Sequence, residues 1–98
     1  MHTRTKETQI PRAVKLAVWE RDGGRCVICG SPRAFPEAHY ISRAQGGRGI
    51  EQNIVTLCRR CHFEYDNSEN RPQIRRVLRD YLSGIYPGWD ESELVVKK

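Results

Sequence analysis

The sequence predicts a small α+β domain stapled by a four-cysteine metal site, and three observations carry that prediction. The chain has 98 residues, enough for one domain with a modest core. Its composition, 38% hydrophobic and 30% charged, is globular but leaves little apolar material, so something besides burial must hold it together. Two C-x-x-C pairs, "CVIC" and "CRRC", offer that staple, with short strand-like and helical pieces between and after them.

Residues 1–9 are polar and read as a flexible N-terminal segment. In "IPRAVKLAVWERDGG" the apolar spacing of Val14, Ala17 and Val18 fits a short amphipathic helix, with Pro11 in its first turn and Gly23 and Gly24 at its end. The stretch "RCVICGSPRAFPEAHYI" is broken by Gly30, Pro32 and Pro36, which favours a knuckle feeding a strand over 38–41. "SRAQGGRGIEQ", residues 42–52, is a glycine-rich loop, and "NIVTL", 53–57, supplies the β-branched residues of a second strand. Two strands alone are marginal, so a helix must cover them, and it begins within "CRRCHFEYDN", 58–67. A last helix is predicted over 72–83, with Ile74, Val77, Leu78, Tyr81 and Leu82 on one face and Gly84 as its stop. Residues 10–86 thus form the single domain, and 87–98 read as a loosely held tail.

The knuckles are separated by 28 residues, and two-residue spacing inside each lets the chain turn tightly around one metal. Cys26, Cys29, Cys58 and Cys61 then give a tetrahedral Zn²⁺ site with no water position left, the pattern of a structural ion; disulfides or a redox pair are the alternatives. Such binding contributes on the order of 10 kcal/mol to folding, more than a core this small supplies. No stretch reaches the length of a membrane span and the N-terminus has no apolar core of a signal peptide, so a cytoplasmic, reducing location is the expectation, where clustered cysteines are metal ligands more often than disulfides.

Lys and Arg number 17 against 12 Asp and Glu, a formal charge of +5 with a sequence pI near 9.3, which suits a polyanionic partner such as nucleic acid; an ordinary basic protein is the plainer reading. Four thiolates on one Zn²⁺ would bring the charge to roughly +3, so the basic bias survives in reduced form.

Between and just beyond the knuckles lie His39, Asn53 and His62, at separations of 14 and 9 residues. With "CVIC", "AHYISRAQGG", "EQNIVTLC" and "CRRCHFEYDN", the chain here resembles the HNH endonuclease family, above all its small zinc-containing members from bacteriophages and prophages. The resemblance spans roughly residues 10–70. It implies a ββα-metal (His-Me finger) motif, with the first His ending strand one, the Asn after the connecting loop and the second His on the helix. It further implies a metal-dependent DNA endonuclease of weak sequence specificity, hydrolysing phosphodiesters.

In that reading His39 is the general base, since an ordinary imidazole titrates near neutral pH. Asn53 braces the loop, because an amide both donates and accepts. His62 and Asp66, four apart on a helix, would share a face and form a ligand pair for Mg²⁺, Mn²⁺ or Ni²⁺. Ala38 stands where many family members carry a metal-binding Asp or His; Glu37 is a possible substitute. A register slipped by one residue would make His39 the ligand and Tyr40 the base, but a phenol is a poor base at neutral pH. Arg43, Arg48, Arg59 and Arg60 are candidate phosphate contacts, with solvated loop charge as the alternative. A non-catalytic zinc-stabilised DNA-binding module, or an accessory subunit beside a phage packaging terminase, are rival readings that the short chain keeps open, as it does monomer against dimer.

Overall fold

A computed structural model describes residues 3–96 of the chain; residues 1, 2, 97 and 98, parts of the expected flexible ends, lie outside the described residues. The element order is α1 (Thr3–Thr8), α2 (Arg12–Arg21), β1 (Ala34–His39), β2 (Ile54–Cys58), α3 (Arg59–Asn67) and α4 (Arg71–Ile85), with short 3-10 turns at Arg43–Gln45, Glu51–Asn53 and Glu91–Leu94. The two strands pair antiparallel, and the predicted α+β class with two strands covered by helices is what the chain forms.

Strand β1 begins earlier than its sequence suggests. Ala34 pairs with Cys58 and His39 with Ile54, with an irregularity between Phe35 and Ala38. Pro36 sits in that bulge on an edge strand, where a missing N–H costs no ladder bond. Side chains alternate across a strand, so Ala38 and Tyr40 are fully buried while Glu37 and His39 reach the other face. Every residue of β2 is buried, with α2 and α3 both packed against it.

Helix α2 has Pro11 as its N-cap and buries Val18; Gly23 and Gly24 close it at φ +69° and +67°, where glycine alone is unstrained. Directly after it, Asp22 ties three elements. Its Oδ1 accepts from Arg21 Nε (2.7 Å) and Tyr81 Oη (2.6 Å), and its Oδ2 accepts from the Thr56 N–H (2.9 Å). Arg21 in turn donates to the Glu51 and Ile54 carbonyls (2.8 and 2.7 Å). Burial alone would weaken the guanidinium's charge, but Asp22 and Tyr86 hold it more firmly protonated than usual. This network locks α2 and α4 onto the strand that leads to the second knuckle.

Helix α4 runs through Gly84 to Ile85 instead of stopping before it, and Val77, expected on the apolar face, is 49% exposed; Leu78 and Leu82 carry the burial. Both chain ends meet the β1–β2 loop. Thr8 and Leu94 are both buried, at 3% and 1% exposure. The N-terminal segment crosses the β1–β2 loop, where the Gly49 N–H donates to the Glu7 carbonyl (3.0 Å). The C-terminal segment lies along the same loop: Arg48 N–H donates to the Leu94 carbonyl (2.7 Å), Val96 N–H to the Gly46 carbonyl (2.8 Å), and Trp89 Nε1 to the Gln52 carbonyl (2.8 Å). Both end segments are thus anchored to the β1–β2 loop by these bonds. Their partners lie about 40 residues away in the chain, out of reach of a local pattern.

Candidate active site and metal centre

The first knuckle is a turn closed by the Gly30 N–H to the Cys26 carbonyl (2.8 Å) and docked on β2 through the Val27 N–H to the Thr56 carbonyl (3.0 Å). The second is the start of α3, where Cys58 is the N-cap and its sulfur accepts from the Cys61 N–H (3.4 Å). The matching bond in the first runs from the Cys29 N–H to the Cys26 sulfur (3.5 Å). The four Sγ atoms lie within 4.8 Å of one another, Cys29 and Cys58 at 3.6 Å. Zn–S bonds of about 2.3 Å in a tetrahedron put sulfurs about 3.8 Å apart, so this donor set fits a zinc ion. Although burial pushes the Cys26 thiol up, backbone N–H groups of Cys29, Cys58 and Ile28 draw it down to about 7; burial and the neighbouring thiols push Cys61 up. These N–H groups thus draw one thiol toward the thiolate, the form that binds metal.

On the other side of α3 a cleft of about 700 Å³ brings together Glu37 and His39 from β1, His62 and Asp66 from α3, and Arg43 from the loop. Those are five of the residues singled out in the sequence, now on one surface. His62 Nε2 and Asp66 Oδ2 are 3.3 Å apart, both partly exposed, as the four-residue spacing requires. Cys61 is buried toward the sulfur cluster while His62 faces the cleft, so one helix start serves both sites. Glu37 Oε2 pairs with Lys15 Nζ at 3.4 Å.

His39 is half-buried, and its Nε2 lies 2.9 Å from the Thr8 carbonyl. A carbonyl accepts only, so Nε2 carries the proton and the neutral ring keeps its lone pair on Nδ1. Burial depresses the His39 pKa below 6.5, the Thr8 bond works against that, and Arg43 and His62 add to the depression. A neutral imidazole with its lone pair on Nδ1 is the form a base requires.

Asn53 is fully buried and uses every arm of its amide. Oδ1 accepts from the Ile41 N–H (2.8 Å), and Nδ2 donates to the Ile41 (3.1 Å) and Arg48 (2.9 Å) carbonyls. It pins both ends of the loop that carries Ser42, Arg43 and Gln45 into the cleft. Gly47 is required there: a Cβ would stand 1.7 Å from the Ile41 carbonyl oxygen and 2.9 Å from Asn53 Nδ2.

Other expected residues lie elsewhere. Ala38 belongs to the core and does not line the cleft; Tyr40 is fully buried, its hydroxyl donating to Glu91 (2.7 Å), and burial followed by that bond pushes its pKa well above the usual range. The slipped register would therefore put its base, Tyr40, in the core and outside the cleft. Arg48 donates to the Glu93 carbonyl (3.1 Å), Arg59 stacks 4.6 Å over Phe35, and exposed Arg60 stands by the cysteine cluster; none lines the cleft. Lys15 and Arg71 do line it, and nothing in the local sequence marks them.

Residues 26–68 match the HNH endonuclease family. The matched HNH segment starts at the first knuckle and ends just past α3, so it contains the cysteine cluster, both strands, His39, Asn53, His62 and Asp66. The chain is also similar to Anaredoxin of Nostoc sp. (strain PCC 7120), 29% identical over 66 residues, which covers 66% of this chain and 87% of that protein. Helices α1, α2 and α4 lie outside the HNH match. Among the described residues no helix is long and apolar enough to cross a membrane.

Proposed function

We propose that the protein is a metal-dependent DNA endonuclease in which His39 is the general base. The observation that carries this reading is the single cleft that joins a neutral, Nδ1-available histidine to the His62–Asp66 pair inside an HNH segment. His39 Nδ1 takes the proton from a water that attacks the scissile phosphorus, and its Nε2 stays tied to Thr8, so the ring does not turn as the proton moves. His62 and Asp66, with Glu37 freed from Lys15, are the side chains that would hold Mg²⁺, Mn²⁺ or Ni²⁺, an ion that when bound offsets charge on the phosphate and the leaving oxygen. Lys15, Arg43 and Arg71 supply cationic contacts at the cleft, while Arg59 and Arg60 extend positive charge beside the zinc knuckles. Asn53 acts through the loop it pins. The four cysteines hold structural Zn²⁺ and take no part in the chemistry.

One observation favours a second reading, a non-catalytic DNA-binding module. Among the described residues only the four cysteines form a ready group of three or more metal-ligating side chains; the cleft has the His62–Asp66 pair, and Ala38 in the core removes the ligand many relatives place before the histidine. The experiment is a plasmid-cleavage series in Mg²⁺, Mn²⁺ and Ni²⁺, with His62→Ala beside the wild type. Wild-type cutting that His62→Ala abolishes supports the nuclease; salt-sensitive binding without cutting in any ion supports the binding module.

A further inference from the structure

The contact that fixes the candidate base does not come from the HNH segment. The Thr8 carbonyl accepts from His39 Nε2 at 2.9 Å, and Gln9 and Ile10 form part of the cleft wall. The same short stretch is anchored one step away, where Glu7 accepts from the Gly49 N–H. The fit is tight: a Cβ on Gly49 would stand 1.9 Å from the Gln9 carbonyl oxygen and 3.0 Å from the Ile10 Cα. Thr8 is itself buried at 3% exposure, beneath an exposed Glu7 and Gln9. A polar stretch with little apolar material of its own has been given a backbone-width slot on the loop and a hydrogen bond to the one histidine on β1.

We infer that residues 7–10 are a strap belonging to the catalytic site, with the Thr8 carbonyl as the positioning group that sets the tautomer and orientation of His39. The inference rests on the nuclease reading for its effect on rate, but not for its structural content. A neutral histidine without such a partner distributes its proton between both ring nitrogens and turns about its side-chain torsions; the carbonyl selects Nε2–H and one ring pose. HNH segments that lack this strap would have to obtain the same restraint elsewhere. In this chain the slot at Gly49 is the way to disturb it without touching any cleft side chain.

The test uses the full-length zinc-loaded protein. In the wild type, long-range ¹H–¹⁵N correlation spectra at pH 7.5 should show His39 as the Nε2–H tautomer, and its ring protons should give NOEs to the Thr8–Gln9 backbone. Gly49→Ala should weaken those NOEs, mix the tautomers and slow plasmid cleavage by at least about tenfold, within the range general-base alignment contributes, while zinc content and far-ultraviolet circular dichroism stay at wild-type values. An Nδ1–H tautomer, or absent NOEs, in the wild type overturns the strap whether or not the variant folds. So does a folded Gly49→Ala with unchanged spectra and rate. A wild type that shows the tautomer and NOEs but cuts no DNA counts against the nuclease reading and leaves the strap's geometry upheld.

Discussion

Asn53→Ala isolates how the loop over the cleft is held. Truncation removes one acceptor and two donor contacts at a fully buried position: the Ile41 N–H loses its partner, and the Ile41 and Arg48 carbonyls lose one each. An orphaned buried N–H costs about 1–3 kcal/mol and each under-satisfied carbonyl somewhat less, for a total of about 3–5 kcal/mol. At about 4–8 °C per kcal/mol for a domain near this size, the melting temperature in saturating zinc should fall by at least about 12 °C. Asn53→Asp sharpens the test. It keeps the acceptor for the Ile41 N–H but turns an oxygen toward two carbonyls, so at neutral pH it should be no more stable than the alanine variant. Differential scanning fluorimetry with excess Zn²⁺ reads both. A loss under about 3 °C for Asn53→Ala, or a wild-type melting point for Asn53→Asp, would refute the assignment of Asn53 as the loop's clamp.

Three further outcomes are expected. Chelation of zinc should abolish most helical circular dichroism, because a fold this small depends on its metal for on the order of 10 kcal/mol; retention of the spectrum after verified zinc removal would contradict a structural ion. Thr56→Val should leave stability unchanged or raise it by about 1 kcal/mol in urea titration, since the Thr56 hydroxyl is buried with no hydrogen-bond partner among the described residues; a loss above about 1 kcal/mol would show that the hydroxyl has a role the geometry does not reveal. Acid should slow cleavage only below pH 6.5, because His39 titrates below that value in the folded chain. The stability sign agrees: the unfolded histidine binds its proton first, so the contribution of neutral His39 is fully present above 6.5 and is lost as pH falls toward its folded pKa. An acid limb in the cleavage rate centred above 6.5 would exclude it as the titrating base.

Short-range spacing was the legible part of this sequence. Two C-x-x-C turns and a helix start suffice to bring four sulfurs within 4.8 Å, and the His62–Asp66 spacing places both on one helical face. The Asn53 contacts follow from an amide's donors and acceptors once the loop is drawn. The rest depended on segments distant in the chain. Pro36 reads as a strand breaker, yet an edge strand with a bulge accepts it, so β1 starts at Ala34. The polar segment at Glu7–Gln9 and the tail at Leu94 lack local periodicity because both are held mainly by backbone bonds to the loop at Gly46–Gly49. Gly47 and Gly49 were the available signal: glycines in a loop mark close backbone approach, but not which backbone approaches. Ala38, the position at which the sequence resemblance expects a metal ligand, is a core residue, and the acidic side chain beside it in the cleft is Glu37, paired with Lys15.

The most direct measurement is supercoiled-plasmid cleavage by zinc-loaded wild type and His39→Ala in Mg²⁺, Mn²⁺ and Ni²⁺, with zinc content and melting temperature matched. If His39 activates the attacking water, the wild type converts plasmid to nicked or linear DNA in at least one ion and His39→Ala is slower by about 10²–10⁴-fold. Equal cutting by the two proteins would contradict the role of His39.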